Sequence, residues 1–231
     1  MAPESVPWKR STAPLETAAD LVAQALSESG ERPRLAVSGG SAAAALAPLR
    51  QRLPSARWQA LRLTWVDERR VPTLHAASNR GEAYRQGWLG PSARVGVEVP
   101  LWTGTESPAE AIRRVTRALD TELDGGLDVL LLGMGEDGHV ASLFPGHAAL
   151  NAPGPVALVD DSPKPPPERI TLTLPILTTA RRAVVVALGA SKRGALYGLL
   201  DGDRSLPVVH LPHLFLVTDQ DLNEPPRDPH R

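Results

Sequence analysis

An imidazole and a carboxylate two residues apart in a glycine-rich loop are the most reactive grouping this sequence offers. The stretch runs Gly133-Met134-Gly135-Glu136-Asp137-Gly138-His139 and continues through Ser142-Leu143-Phe144-Pro145 to Gly146. It follows an apolar run, Leu127 to Leu132, interrupted only by Asp128. A buried strand that opens into such a loop is how open α/β sheets present reactive groups at strand carboxyl ends. Glycines let the backbone approach a ligand closely, and His139 is the side chain there that exchanges a proton near neutral pH. A neutral imidazole at this place is suited to act as a general base toward water, with Asp137 to orient it. Asp137 and His139 are also metal-ligand types, but no third ligand stands at a recognised spacing, so no metal is expected.

Four further groups have anion-binding chemistry. Ser38-Gly39-Gly40-Ser41 joins a short apolar run to an alanine-rich stretch, a geometry that points backbone N–H groups and a positive helix end at an anion. The same residues would make a plain tight turn, and their spacing fits neither a Walker A loop nor the dinucleotide fingerprint. Asp67-Glu68-Arg69-Arg70 begins where a second strand ends. It reads either as a salt-bridged rim or as an arginine for phosphate or carboxylate with Asp67 beside it. Arg169 stands at the entrance of a short extended segment, Arg169 to Leu174. Lys192, after Gly189-Ala190-Ser191, sits where a helix starts; a cation there opposes the helix dipole unless a bound anion or solvent compensates it.

These groups need elements to hold them. A helix is predicted over Leu15 to Ser29 and stopped by Gly30, and strands over Leu35 to Val37, Leu61 to Val66, Leu127 to Leu132, Ala183 to Leu188 and Leu214 to Val217. An alanine-rich helix starts near Ala42 and is split or kinked by Pro48. An amphipathic helix covers Ser107 to Leu123, and another runs from Ser191 to about Leu200. Asn151 to Glu168, rich in proline, reads as an ordered loop or crossing segment. Alternating strands and helices imply an α/β, Rossmann-like fold: a mostly parallel sheet with helices on both faces. One domain is expected over residues 1–223, with 224–231 a disordered tail.

Composition narrows the classes. The 231 residues carry a formal net charge of −1, which argues against an extended nucleic-acid surface. The absence of cysteine removes disulfides, thiol nucleophiles and thiolate metal sites. Neither an apolar leader nor a membrane-spanning run is read, so a cytoplasmic monomer without cofactor, nucleic-acid partner or membrane contact is expected. Of the 25 basic residues only Lys9, Lys164 and Lys192 are lysines, a bias that draws attention to any lysine retained in a glycine-flanked loop.

In order and identity these motifs resemble the 6-phosphogluconolactonase family, lactone hydrolases of the oxidative pentose phosphate pathway. The resemblance rests on Ser38 to Ser41, on Asp67 to Arg69 with Val71-Pro72 and Ser78-Asn79, and on the whole Gly133-to-Gly146 loop. Arg169 to Thr173 and Gly189 with Lys192 complete it. The loop is its most specific part. The chain departs at Ala42-Ala43, where the family usually has threonine and proline. The resemblance implies the fold of glucosamine-6-phosphate deaminase and a metal-independent hydrolysis of 6-phosphoglucono-1,5-lactone. His139, Asp137 and Arg69 would then be catalytic. Ser38, Gly39, Gly40, Ser41, Asp67, Arg169 and Lys192 would bind the phosphosugar lactone. Rival readings are a sugar-phosphate deaminase or isomerase and a non-catalytic sugar-phosphate sensor. A dinucleotide-dependent dehydrogenase is disfavoured by the missing fingerprint.

Overall fold

Apolar residues at helical spacing make the first helix of the computed structural model, which describes residues 6–223. The expectation for 224–231 lies outside the described residues. A short strand, β1 (Trp8–Arg10), leads into α1 (Pro14–Ser27), which buries Ala18, Ala19, Val22 and Leu26. After β2 (Arg34–Val37) comes a 3-10 turn at Gly40–Ala45, and then α2 (Leu46–Arg52). The alanine-rich stretch therefore breaks at residue 46 and not at Pro48, which sits in the first turn of α2, where a missing N–H costs no intrahelical bond.

The chain continues through α3 (Ser55–Ala60), β3 (Arg62–Trp65), β4 (Asp67–Arg69), α4 (Asn79–Arg85) and β5 (Val97–Val99). Next is α5 (Pro108–Glu122), opened by a capping box in which Ser107 and Glu110 satisfy each other's backbone N–H. Then follow β6 (Val129–Gly133), β7 (Val156–Val159), β8 (Arg169–Leu172) and α6 (Leu174–Leu177). β9 (Arg182–Ala187), α7 (Arg193–Leu200) and β10 (Leu214–Thr218) complete the domain. Proline-rich Asn151 to Glu168 is thus not wholly loop: it contains β7.

Seven strands form a sheet in the order β1-β10-β9-β6-β2-β3-β5, with every neighbouring pair parallel. From β2 the chain proceeds outward through β3 and β5, then returns to the other side of β2 with β6. The topological switch point therefore lies between β2 and β6, where open α/β sheets bind ligands beyond their strand carboxyl ends.

A second sheet, β4-β8-β7, is antiparallel. Val66 joins the two: its N–H donates to Val37 in the main sheet, and its carbonyl accepts from Leu172 in the small one. That single residue carries the chain from β3 into β4 and so delivers Asp67 and Arg69 above the carboxyl end of β3.

Candidate active site

At the switch point a crevice of about 350 Å³ is lined by the turn after β2, by β4, by the loop after β6, by Lys164-Pro165 and by Lys192. Of the residues singled out from the sequence, Ser38, Gly39, Gly40, Ser41, Asp67, Arg69, His139, Arg169 and Lys192 all line it. Asp137 lies behind His139 and bonds to it. A larger hollow of about 700 Å³ opens at the other end of β9 and β10, between Arg182, Leu199, His213 and Leu214. It offers no carboxylate–imidazole pair and is far less suited to chemistry.

His139 is held from two sides. Its Nδ1 lies 2.5 Å from Asp137 Oδ1, so the ionised carboxylate accepts the Nδ1 proton and leaves the Nε2 lone pair free. Nε2 meets no hydrogen-bond partner among the described residues. The Phe144 ring packs at a centroid distance of 4.6 Å from the imidazole, tilted by 40°. Burial pushes the imidazole below its ordinary pKa, with the Asp137 bond and charge only partly opposing it. Asp137 itself is raised by burial, yet the His139 bond and charge outweigh this and hold its carboxyl below the usual range. A carboxylate beside a neutral imidazole is the resulting state near neutral pH. The loop geometry requires glycine at 135, because a Cβ there would stand 1.9 Å from His139 Nδ1 and 2.4 Å from Asp137 Oδ1.

The turn after β2 has both committed and open donors. Ser38 Oγ accepts from Gly133 N at 2.7 Å, fastening β2's exit to β6's exit. Gly39 makes room for the Asn79 side chain, whose Oδ1 would lie 1.9 Å from an added Cβ. Gly40, at φ +69°, turns the chain into the 3-10 segment. Ser41 is exposed, and its hydroxyl has no partner among the described residues. Ala42 and Ala43 are buried and do not line the crevice, so the departure from threonine and proline falls on core-facing positions.

Asp67 is fixed by three neighbours. Ser142 Oγ donates to its Oδ2 at 2.7 Å, Asn79 Nδ2 to its Oδ1 at 3.2 Å, and Arg169 Nη1 lies 3.6 Å from Oδ2. Behind it, Glu68 is buried and accepts from the N–H groups of Arg69, Asn79 and Arg80 and from Ser78 Oγ. This anchors the N-terminus of α4 against β4. Burial pushes the Glu68 carboxyl up, and the backbone bonds oppose that. Arg69 donates Nη1 to the Ala77 carbonyl at 2.6 Å.

Sequence reading did not assign Asn79, Ser142, Glu68 or Lys164 to the site. Asn79 and Ser142 belong to motifs already noted, but their partners are distant in sequence. The scarcity of lysine pointed to a glycine-flanked lysine, whereas Lys164 stands between prolines and reaches the crevice only through the folding of that segment. Among the described residues no three His, Cys, Asp or Glu side chains gather closely enough to share a metal ion.

Fold and crevice together define an open α/β-sheet protein with an anion-suited pocket at the switch point and a carboxylate-held imidazole beside it. The family model for glucosamine-6-phosphate isomerases/6-phosphogluconolactonase matches residues 10–215, and the chain belongs to that family. The 6-phosphogluconolactonase of Rattus norvegicus is 37% identical over 211 residues, covering 83% of this chain and 79% of the rat protein. A relative from Oryza sativa subsp. japonica, named as a chloroplastic 6-phosphogluconolactonase, is 38% identical over 181 residues. That match takes in 71% of this chain, which spans about half the length of the rice protein, 54%. Among solved structures, a 6-phosphogluconolactonase of Shewanella baltica superposes with a TM-score of 0.78 over 94% of this chain and 98% of its own, at 24% identity, and so shows the shared fold. No helix of the described residues is long and apolar enough to cross a membrane.

Proposed function

We propose that the chain hydrolyses 6-phosphoglucono-1,5-lactone to 6-phosphogluconate, the step its lactonase relatives serve in the oxidative pentose phosphate pathway. One observation carries the reading: His139 Nδ1 is tied to Asp137 while Nε2 has no partner among the described residues, and the ring lines the same crevice as the anion-suited Ser38–Ser41 turn. The substrate's two ends, a phosphate and a strained ester carbonyl, match those two features.

In this mechanism the free amides of the Ser38–Ser41 turn and the Lys192 ammonium hold the phosphate. A water molecule hydrogen-bonds to His139 Nε2. As its oxygen attacks C1, one of its protons passes to Nε2 and the carbonyl electrons become an oxyanion. Asp137 stabilises the imidazolium so formed. The oxyanion collapses, the C1–ring-oxygen bond breaks, and the imidazolium returns its proton to the departing ring oxygen, leaving a hydroxyl. The new carboxylic acid loses its own proton to solvent. Arg69, at the crevice wall, contributes positive potential while the negative charge develops. Ser38, Gly39 and Asp67 shape the site through the contacts described above.

The test is the initial rate of lactone loss with and without protein at slightly acidic pH, where spontaneous hydrolysis is slow enough to subtract. Loss no faster than the blank would sink the reading. A deaminase would need a carboxylate to move a proton between C1 and C2, and Asp67 lines the crevice with lone pairs beyond those that accept from Ser142 and Asn79. It is therefore the Ser142-Leu143-Phe144-Pro145-Gly146 continuation of the loop that favours the lactonase. Ammonia release from glucosamine 6-phosphate would reverse that preference.

A further inference from the structure

Four cations border the crevice: Arg69, Lys164, Arg169 and Lys192. They are not equally available. Arg169 is spent on the protein: Nε donates to the Pro166 carbonyl at 3.1 Å and Nη2 to those of Lys164 at 2.8 Å and Pro165 at 3.4 Å. Its Nη1 faces Ser142 Oγ at 3.5 Å and Asp67, and its side chain is only 5% exposed. A guanidinium with all three nitrogens engaged has little left for a ligand. Its bonds gather three consecutive carbonyls of the proline-rich segment and hold that segment against the crevice.

The segment also closes on itself. Ser162 N donates to the Pro167 carbonyl at 3.1 Å, Ser162 Oγ donates to the Lys164 carbonyl at 2.9 Å, and Lys164 N donates to Ser162 Oγ at 3.3 Å. Both backbone polar groups of Lys164 are therefore pinned. Its side chain lines the crevice, and the ammonium has no hydrogen bond or ion pair among the described residues. A cation on a fixed backbone, half-buried and unpartnered, is pre-organised for an anion that arrives from outside.

Position within the crevice assigns the end it serves. Lys192 stands beyond β9, in the segment that opens α7. The Arg169 guanidinium that holds the Lys164 carbonyl lies 5.9 Å from the centre of the Phe144 ring, and that ring packs 4.6 Å from His139, so the Lys164 backbone is fastened at the imidazole end of the crevice. We propose that Lys164 is a catalytic residue that meets the lactone carbonyl oxygen at C1, stabilising the oxyanion, and that Arg169 acts through it as a positioning residue. This rests on the lactonase reading above. It places Lys164 at the reacting end and leaves the phosphate to the Ser38–Ser41 turn and Lys192.

The experiment compares wild type with Lys164→Met and Lys164→Gln in two measurements. In turnover of 6-phosphogluconolactone, kcat is expected to fall by about 10²–10³-fold, the range for loss of one oxyanion donor, with a much smaller change in KM. In calorimetric titration, 6-phosphogluconate carries a C1 carboxylate and glucitol 6-phosphate carries none. Both variants should bind the first about tenfold more weakly and the second as wild type does. Equal weakening of both ligands would move Lys164 to the phosphate end and overturn the proposal, as would unchanged kcat and binding. An inactive wild type would instead overturn the lactonase reading, while the two titrations would still report which end Lys164 serves.

Discussion

His139 has one nitrogen committed and one open, and most of the site's chemistry follows from that asymmetry. Replacing it with alanine removes the base, and kcat should fall by about 10²–10⁴-fold with little change in KM. A steady-state comparison with near-normal turnover would remove His139 from the mechanism. Burial lowers the imidazole pKa, so the base stays unprotonated into mild acid, and the acidic limb of kcat/KM should lie below the ordinary imidazole value of about 6.5. Asp137 opposes that shift; Asp137→Asn removes its charge and should move the limb to still lower pH while kcat drops. A limb that moves upward would mean Asp137 does not hold the ring. Gly135 and Asp137 were legible in sequence as loop residues around a histidine. That the missing Cβ of Gly135 is the space occupied by the His139 ring was not, because a close approach leaves no mark beyond the glycine itself.

Elements carry the site through buried polar anchors more than through their length. β4 is three residues long, yet it places Asp67 and Arg69 because Glu68 between them binds the start of α4. Glu68→Ala would strand three backbone N–H groups and the Ser78 hydroxyl. At about 1–3 kcal/mol for a stranded buried group the total loss should reach at least roughly 3 kcal/mol. For a domain of this size that corresponds to a Tm lower by roughly 6–12 °C in calorimetry. An unchanged Tm would show that α4 is anchored by other contacts. The helices α1 and α5 were legible because burial of one face repeats along them, and β6 and β9 because an unbroken apolar run marks a strand buried on both faces. β1, β5, β7 and α4 were not: three to seven residues hold too few periods, and their pairing partners lie elsewhere in the chain.

The molecule as a whole brings two strand ends together at the switch point and ties their other ends with a buried ion pair. Asp128, ahead of β6, accepts from Arg34 N at 2.9 Å and Nε at 3.0 Å, and its other oxygen accepts from Nη2 at 2.7 Å. Burial raises the Asp128 carboxyl, but the Arg34 bonds and charge outweigh it, so its pKa in the folded state lies below the ordinary value. The stability it contributes is therefore complete above about pH 4, the unfolded carboxyl value, and is lost as pH falls through the lower folded value. Asp128→Asn should cost roughly 3 kcal/mol at neutral pH and should flatten the loss of stability below about pH 4. Urea titrations of both proteins across that range check it; parallel curves would show that the pair is not coupled to acid unfolding. Compartment is a property of the whole protein that family membership leaves open, since the rice relative is named as chloroplastic.

Sequence by itself determined the kinds of groups in the site and the class of fold. The glycine-rich loop after an apolar run, the serine–glycine turn and the alternation of strands and helices are local patterns, and local patterns are written in consecutive residues. Only the tertiary structure decided which of those groups remain free for a ligand. Ser38 is fastened to Gly133, Asp67 is oriented by Ser142 and Asn79, and Arg169 is spent on the carbonyls around Lys164. Every one of those partners except the Arg169 carbonyls is at least twelve residues away along the chain, and even those carbonyls are reached only because the proline-rich segment folds back. A donor's availability depends on what surrounds it in space, and residue type and spacing do not report that.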